Sequence, residues 1–187
     1  RVNLHSQDNF SISTSRNYER LDEPFELTDE ITLPLAAEYD FSRYQFWMQT
    51  ANRRVVALML RYNAGGFYSG DRTERGLNLT VRARPGLIVG LNGQWNAVTL
   101  PEGNFSTSLY RLNLENQFTP YIALVNTIQY DSQSAVLGWQ SRFRWILTPG
   151  NDLYVVYTHN WLDEPLRNRL STLDRRLASK VLYTYRF

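Results

Sequence analysis

Two histidines, His5 and His159, are the chain's only imidazoles, and cysteine is absent. A hydrolytic site would therefore centre on His159. It lies in Tyr157-Thr158-His159-Asn160-Trp161, with Asp163 two residues further on and serines elsewhere in the chain. Such a histidine could act as a general base toward a serine or water. The surrounding pattern argues against it. There is no nucleophile elbow, no pair of acids at inward positions and no metal-ligand spacing. Without cysteine there is no disulfide framework, thiolate metal site or thiol nucleophile. No metal and no cofactor is expected. The Ala64-Gly65-Gly66 and Gly90–Gly93 glycines open no helix, so neither reads as a phosphate loop.

The second chemistry-bearing set is basic. Lysine and arginine total 20 against 18 acids, for a net charge of +2, and Lys180 is the one lysine. Arg43, Arg61, Arg82, Arg84, Arg142, Arg144 and Arg186 alternate with apolar residues within extended segments. Arg111 joins them if a β-bulge precedes it. The acids Asp22, Glu23, Glu26, Asp29, Glu30, Asp71, Glu74, Glu102, Asp131, Asp163 and Glu164 fall in connections, leaving only Glu115 near the arginine-bearing face. This set reads as an anion-attracting wall or as a polar interior packed against other parts of the protein. It is not clustered with aromatics as a nucleic-acid surface would be, so no nucleic-acid partner is expected.

These residues are positioned by strands. Leu77, Leu79, Val81 and Ala83 alternate with Asn78, Thr80, Arg82 and Arg84. Leu137, Trp139, Phe143 and Trp145 alternate with Gln140, Arg142 and Arg144. Similar period-two runs include Tyr44, Phe46 and Met48; Val56, Leu58, Leu60 and Tyr62; and Leu87, Val89, Leu91 and Trp95. The run from Phe105 to Leu114 reads as changing face midway, and the apolar face of Tyr121–Tyr130 carries Asn126. Leu162–Arg176 is the best helix candidate, but it is mostly charged and reads as a loop.

Compact breakers recur near residues 52, 85, 118 and 150, and longer connections are expected between them: Gly65–Glu74, Thr99–Asn104, Leu162–Arg176 and an acidic Arg16–Glu38. Most extended segments exceed the ~5–6 residues of a globular strand and suit the ~9–11 of a tilted membrane strand. Mean hydropathy is −0.43, and no apolar run reaches the ~20 residues of a membrane helix. That average is compatible with a barrel whose two faces cancel. The expected fold is all-β: an antiparallel up-and-down transmembrane β-barrel or barrel segment. It has about ten strands, the first over Val2–Ser15, with short periplasmic turns and longer extracellular loops. One domain spans 1–187. A lipid-facing arginine at mid-membrane costs ~2–4 kcal/mol, so the basic set must face a lumen or an interior.

Family resemblance sharpens this. The ending Lys180-Val181-Leu182-Tyr183-Thr184-Tyr185-Arg186-Phe187 resembles the C-terminal insertion signal of bacterial outer-membrane barrels, carried here by Tyr183, Tyr185 and Phe187. Upstream stand Tyr39-Asp40-Phe41, Ala64-Gly65-Gly66-Phe67-Tyr68-Ser69-Gly70, Leu100-Pro101-Glu102-Gly103-Asn104-Phe105, Ile128-Gln129-Tyr130-Asp131-Ser132, Ser141-Arg142-Phe143-Arg144-Trp145 and Pro149-Gly150-Asn151-Asp152-Leu153-Tyr154. In this order they resemble the C-terminal region of a large bacterial outer-membrane family of unassigned function. Its members often carry a family-nine-type carbohydrate-binding module ahead of the barrel. The resemblance implies the end of a longer protein, located in the outer membrane and linked to carbohydrate handling. Its implied partners are outer-membrane lipid, the barrel assembly machinery and a glycan or anionic solute. It supplies no catalytic residue. The readings still open are an outer-membrane transport or anchoring segment, a barrel hydrolase with a rim site near His159, and a soluble β-barrel binding an anionic ligand.

Overall fold

The computed structural model describes residues 1–28, 31–164 and 169–184. They form thirteen strands: β1 (Val2–Asn3), β2 (Asn9–Arg20), β3 (Phe25–Thr28), β4 (Ile31–Leu33), β5 (Glu38–Gln49), β6 (Val56–Phe67), β7 (Gly70–Arg84), β8 (Leu87–Leu100), β9 (Gly103–Thr119), β10 (Ile122–Asp131), β11 (Val136–Thr148), β12 (Asn151–Glu164) and β13 (Arg169–Leu182). No helix occurs among the described residues. Eleven strands form one sheet in the order β1-β2-β5-β6-β7-β8-β9-β10-β11-β12-β13, and β3 and β4 form a separate hairpin. Every pairing whose register is resolved is antiparallel. Among the described residues β13 pairs only with β12, and the sheet is not closed into a barrel.

The chain divides into two compact units, one of Arg1–Asn52, Leu58–Leu77 and Gly93–Ser108, the other of Arg53–Ala57, Asn78–Asn92 and Leu109–Phe187. In the first unit, pairing sets two faces. Arg43 opposes Gly65, Gln45 opposes Asn63 and Trp47 opposes Arg61 on one face; Tyr44 opposes Ala64, Phe46 opposes Tyr62 and Met48 opposes Leu60 on the other. Directly opposed residues point the same way because both strands are pleated in phase. On the apolar face Ile12 is 71% and Tyr44 62% exposed.

In the second unit Thr127, Gln140 and Thr158 share a face with Arg142 and Arg144. Leu124, Phe143 and Val155 share the opposite one with Trp145, Leu153 and Val181. Here too the apolar side is open: Leu177 is 73% and Val181 68% exposed. Asn126 on this side is satisfied by Trp139, whose indole N–H donates to its Oδ1 at 3.2 Å.

The first unit also holds a small dry core. Ile31, Val98 and Leu100 are buried together, with Leu27, Phe67 and Phe105 packed against them. Leu33 is fully buried, and burying such a side chain is worth roughly 1.5–3 kcal/mol. Residues 21–28 and 31–37 thus fold back over the sheet as a hairpin, closed by Leu21 N–H to Ala37 O and Ala36 N–H to Leu21 O. Two glycines permit close approaches in this unit. Gly65 has φ +132°, and an added Cβ there would lie 2.4 Å from Ser42 O; one on Gly103 would lie 2.9 Å from the Ile31 methyl.

Several expectations are corrected. The main sheet has eleven strands, and Val2–Ser15 is divided between β1 and β2, joined by a turn in which Gln7 has φ +67°. The expected long connections Gly65–Glu74 and Thr99–Asn104 are mostly strand, leaving two-residue turns at 68–69 and 101–102. Residues 21–37 remain the one long connection among the described residues, and they carry their own hairpin. Leu162–Arg176 is no loop: its described residues belong to β12 and β13. β9 needs no change of face at Arg111. Phe105 shares that residue's parity and is apolar because it packs beneath the hairpin. The irregularity of β9 against β10 lies at Ile122/Ala123, beyond Arg111.

Candidate functional site

The polar face of the first unit carries a compact charged layer. β5 supplies Arg43, β6 Asn63 and β7 Arg72 and Glu74. Arg43 donates to Glu74 Oε2 at 2.8 Å, Asn63 Nδ2 to the same oxygen at 2.9 Å, and Arg72 pairs with Oε1. All three charged side chains are only 22–26% exposed. Arg72 also donates to Asn96, which donates to Thr107, so the network crosses to β8 and β9. One carboxylate thus sits between two guanidiniums. Its half-burial is offset by three donors, the condition under which a buried charge is tolerated. Arg43 Nε, Arg72 Nε and Asn63 Oδ1 are buried with no protein partner, leaving hydrogen-bonding capacity in the layer.

This layer lies directly beside the hairpin core. The Arg72 guanidinium is 5.1 Å from the centroid of Phe67, a contact of cation–π type. Phe67 is 4.7 Å from Tyr68, which contacts Phe25, Tyr39 and Phe41. The Tyr68 hydroxyl donates to Glu19 at 3.2 Å. Burial, and then the Glu19 carboxylate, raise that hydroxyl above the ordinary tyrosine range.

In the second unit Arg111 donates twice to Gln129 Oε1, at 2.9 and 2.7 Å. Arg144 pairs with Asp152 at 2.9 Å and lies 5.5 Å from the Tyr154 ring, whose hydroxyl also donates to Asp152. Arg142 opposes Val125 and Val156 on this face. Asn78 and Thr80 line a cleft with Asn92, Asn113 and Glu115, which by strand alternation puts Arg82 and Arg84 on that side. Arg82 donates to Arg54 O at 3.1 Å. A larger cleft of about 320 Å³ is lined by Thr127, Gln129, Asp131, Gln140, Thr158 and Asn160, an array of amides and hydroxyls with one carboxylate.

Arg43 and Arg61 therefore share the polar face of the first unit, and Arg111, Arg142 and Arg144 share that of the second. Arg186, Tyr185 and Phe187 lie outside the described residues. Tyr183 is described and is 73% exposed. The arginines are not without acids, as the expectation of a lone Glu115 had it. Glu74 and Asp152 sit among them, and Asp174 accepts from Asn160 on the same side. Alternation carried back from Arg82 through Thr80 and Asn78 reaches Glu74 and was the available signal.

His159 and Asp163 are not brought together. The His159 ring bonds to Tyr157 and Thr172 and stacks on Trp161 at 3.8 Å, while Asp163 accepts from Tyr130. His159 opposes Trp139, placing it in an aromatic patch on the apolar face. Both ring nitrogens are thus engaged by hydroxyls, and Arg175 opposes the ring from β13. No group of three or more metal-ligating side chains occurs among the described residues. No protein-family model, curated protein or solved structure matches the chain.

Proposed function

We propose that this chain is a segment of a bacterial outer-membrane β-barrel, with the apolar face against lipid and the polar face lining an aqueous lumen. It serves solute passage or surface anchoring, and the family resemblance links it to carbohydrate handling. The carrying observation is the exposed apolar face. Ile12, Tyr44, Tyr62, Ile128, Trp145, Leu177 and Val181 all stand open on it. A protein in water would leave them unpartnered, whereas a bilayer covers them.

The charge energetics agree. Arg43, Arg61, Arg111, Arg142, Arg144 and Arg176 avoid that face, where an arginine at mid-bilayer would cost ~2–4 kcal/mol; Arg16, Arg20 and Arg175 share its parity, the first two beside Asp40 and Glu38 and the third opposite His159. From Leu153 to Trp161 the apolar face of β12 spans roughly 20–27 Å depending on tilt, close to the ~25 Å of a barrel's apolar band. Trp139, His159 and Trp161 toward one end, with Trp145 and Tyr183 toward the other, suit interfacial girdles. The open edge of β13 suits pairing with further strands of a larger barrel. Tyr183 belongs to the proposed signal for the assembly machinery.

The test is reconstitution. The chain is expected to partition into detergent, keep β-type circular dichroism there and insert into bilayers. Recovery as a stable, soluble monomer without detergent would contradict the reading.

A further inference from the structure

We infer that the gap over Gly138, on the polar face of the second unit, is a binding site for a neutral polyhydroxylated ligand, a soluble sugar. The inference rests on the reading that this face meets water. It requires neither a closed sheet nor any contact with the first unit.

Gly138 of β11 stands between Gln129 of β10 and Asn160 of β12, directly opposed to each. Its missing side chain leaves a gap between two amides within the cleft of about 320 Å³. Both amides are oriented by partners on the next strands out. Arg111 of β9 donates twice to Gln129 Oε1, at 2.9 and 2.7 Å, and a guanidinium can only donate. The amide oxygen is thereby committed, which leaves the Nε2 hydrogens available. Asn160 Nδ2 donates to Asp174 Oδ1 of β13 at 3.0 Å, and a carboxylate can only accept. This fixes Asn160 the opposite way round. Its Oδ1 is turned over the glycine, so that a Cβ on Gly138 would lie 2.9 Å from it. The gap is thus flanked by a donor on one side and an acceptor on the other, held on three paired strands. A sugar hydroxyl both donates and accepts, so one hydroxyl or an adjacent pair satisfies both amides at once. The Thr127 hydroxyl, which donates to Asn113 at 3.0 Å and keeps its lone pairs, extends the set along the cleft with Gln140 and Thr158. The charges nearby favour a neutral ligand. An anion would have to take Arg111 from Gln129 and would be repelled by Asp131, the cleft's carboxylate. A cation would meet the amide hydrogens of Gln129. The cleft volume falls at the lower end of the roughly 300–1,000 Å³ of small-molecule sites.

The experiment is saturation-transfer NMR of maltose, cellobiose and lactose with the full chain, folded in a zwitterionic detergent that carries no sugar. Binding of at least one disaccharide is expected, and an equal concentration of citrate should leave it unchanged. Gln129→Glu keeps an acceptor for Arg111 but removes the donor, at nearly the same size. It should weaken binding about ten-fold, the worth of one hydrogen bond. Gly138→Val fills the gap with a side chain suited to a strand and should weaken binding by at least as much. Circular dichroism in the same detergent confirms the fold of each. No signal from any of the three disaccharides with the folded chain would overturn the site. So would affinities unchanged in both folded variants, which would put the sugar elsewhere. Displacement of the sugar by citrate would overturn the neutral class of ligand. The lipid reading fails separately, if the chain does not insert into bilayers at all.

Discussion

Phe143→Arg is expected to destabilise the chain in lipid bilayers by roughly 1–3 kcal/mol, between the interfacial and midplane costs of an arginine, whereas Gln140→Arg, three residues away, should cost under about 1 kcal/mol. Phe143 opposes Leu124 and Val155 on the apolar face. Gln140 opposes Thr127 and Thr158 on the face of Arg142 and Arg144. The introduced residue and the strand are the same, and the parity is opposite. A guanidinium in the middle of the hydrocarbon loses its hydration and finds no donor or acceptor there. One on the polar face keeps water or polar neighbours. Urea titration of folding into vesicles reads both values. Equal, small costs would mean that neither face meets lipid.

Glu74→Gln is expected to cost about 2 kcal/mol. Removing one partner of a fully buried ion pair typically costs ~3–5 kcal/mol, and the quarter exposure of these side chains reduces that. The reason is the asymmetry of the layer. The new side-chain amide could still accept from Asn63, but Arg43 and Arg72 would face each other with no anion between them. Their Nε atoms already lack a protein partner, so little local hydrogen bonding can absorb the loss. The double variant Glu74→Gln with Arg43→Gln should recover about half of the cost, because one of the two repelling cations is gone. The same titration measures both. A loss within about 0.5 kcal/mol for Glu74→Gln would show that solvent already screens the layer.

How much of this is legible in the residues depends on the length of uninterrupted alternation. β5 and β11 each show several consecutive period-two apolar positions, and their extents and faces follow directly; β7 shows its face from Leu77 to Arg84 but not its start at Gly70, and in β10 Asn126 interrupts the apolar face. The β3–β4 hairpin is hidden because each arm offers only two apolar residues, Phe25 and Leu27, Ile31 and Leu33, within a strongly acidic stretch. β13 is hidden for a different reason. Its register against β12 shifts at Asn160/Trp161, where Leu173 is left out of the pairing. The extra residue breaks the period of two and gives Leu170, Leu173 and Leu177 a spacing that imitates a helix. In β9 an apolar residue on the polar side, Phe105, looks like a change of face until the hairpin supplies its partner.

The charged layer is half legible. Parity identifies Arg43 and Arg61, but Glu74 reads as part of a connection because the glycines at 65, 66 and 70 look like loop residues. They sit instead in strands, at close backbone approaches: a Cβ on Gly70 would lie 2.1 Å from Thr99 O. Asp152 likewise reads as part of its turn. Both acids lie near the strand ends that turn-like sequence obscures, and both change the electrostatics of the wall from simply basic to locally paired.

The most direct measurement of the central claim is tryptophan quenching by lipids brominated on their acyl chains, in variants that retain one tryptophan each. Trp139 and Trp145 lie on the apolar face, and Trp47 opposes Arg61 on the polar face. Strong quenching of Trp139 and Trp145 with little quenching of Trp47 is predicted. Quenching of Trp47 equal to or greater than that of the other two would contradict the assignment of lipid and lumen to these faces.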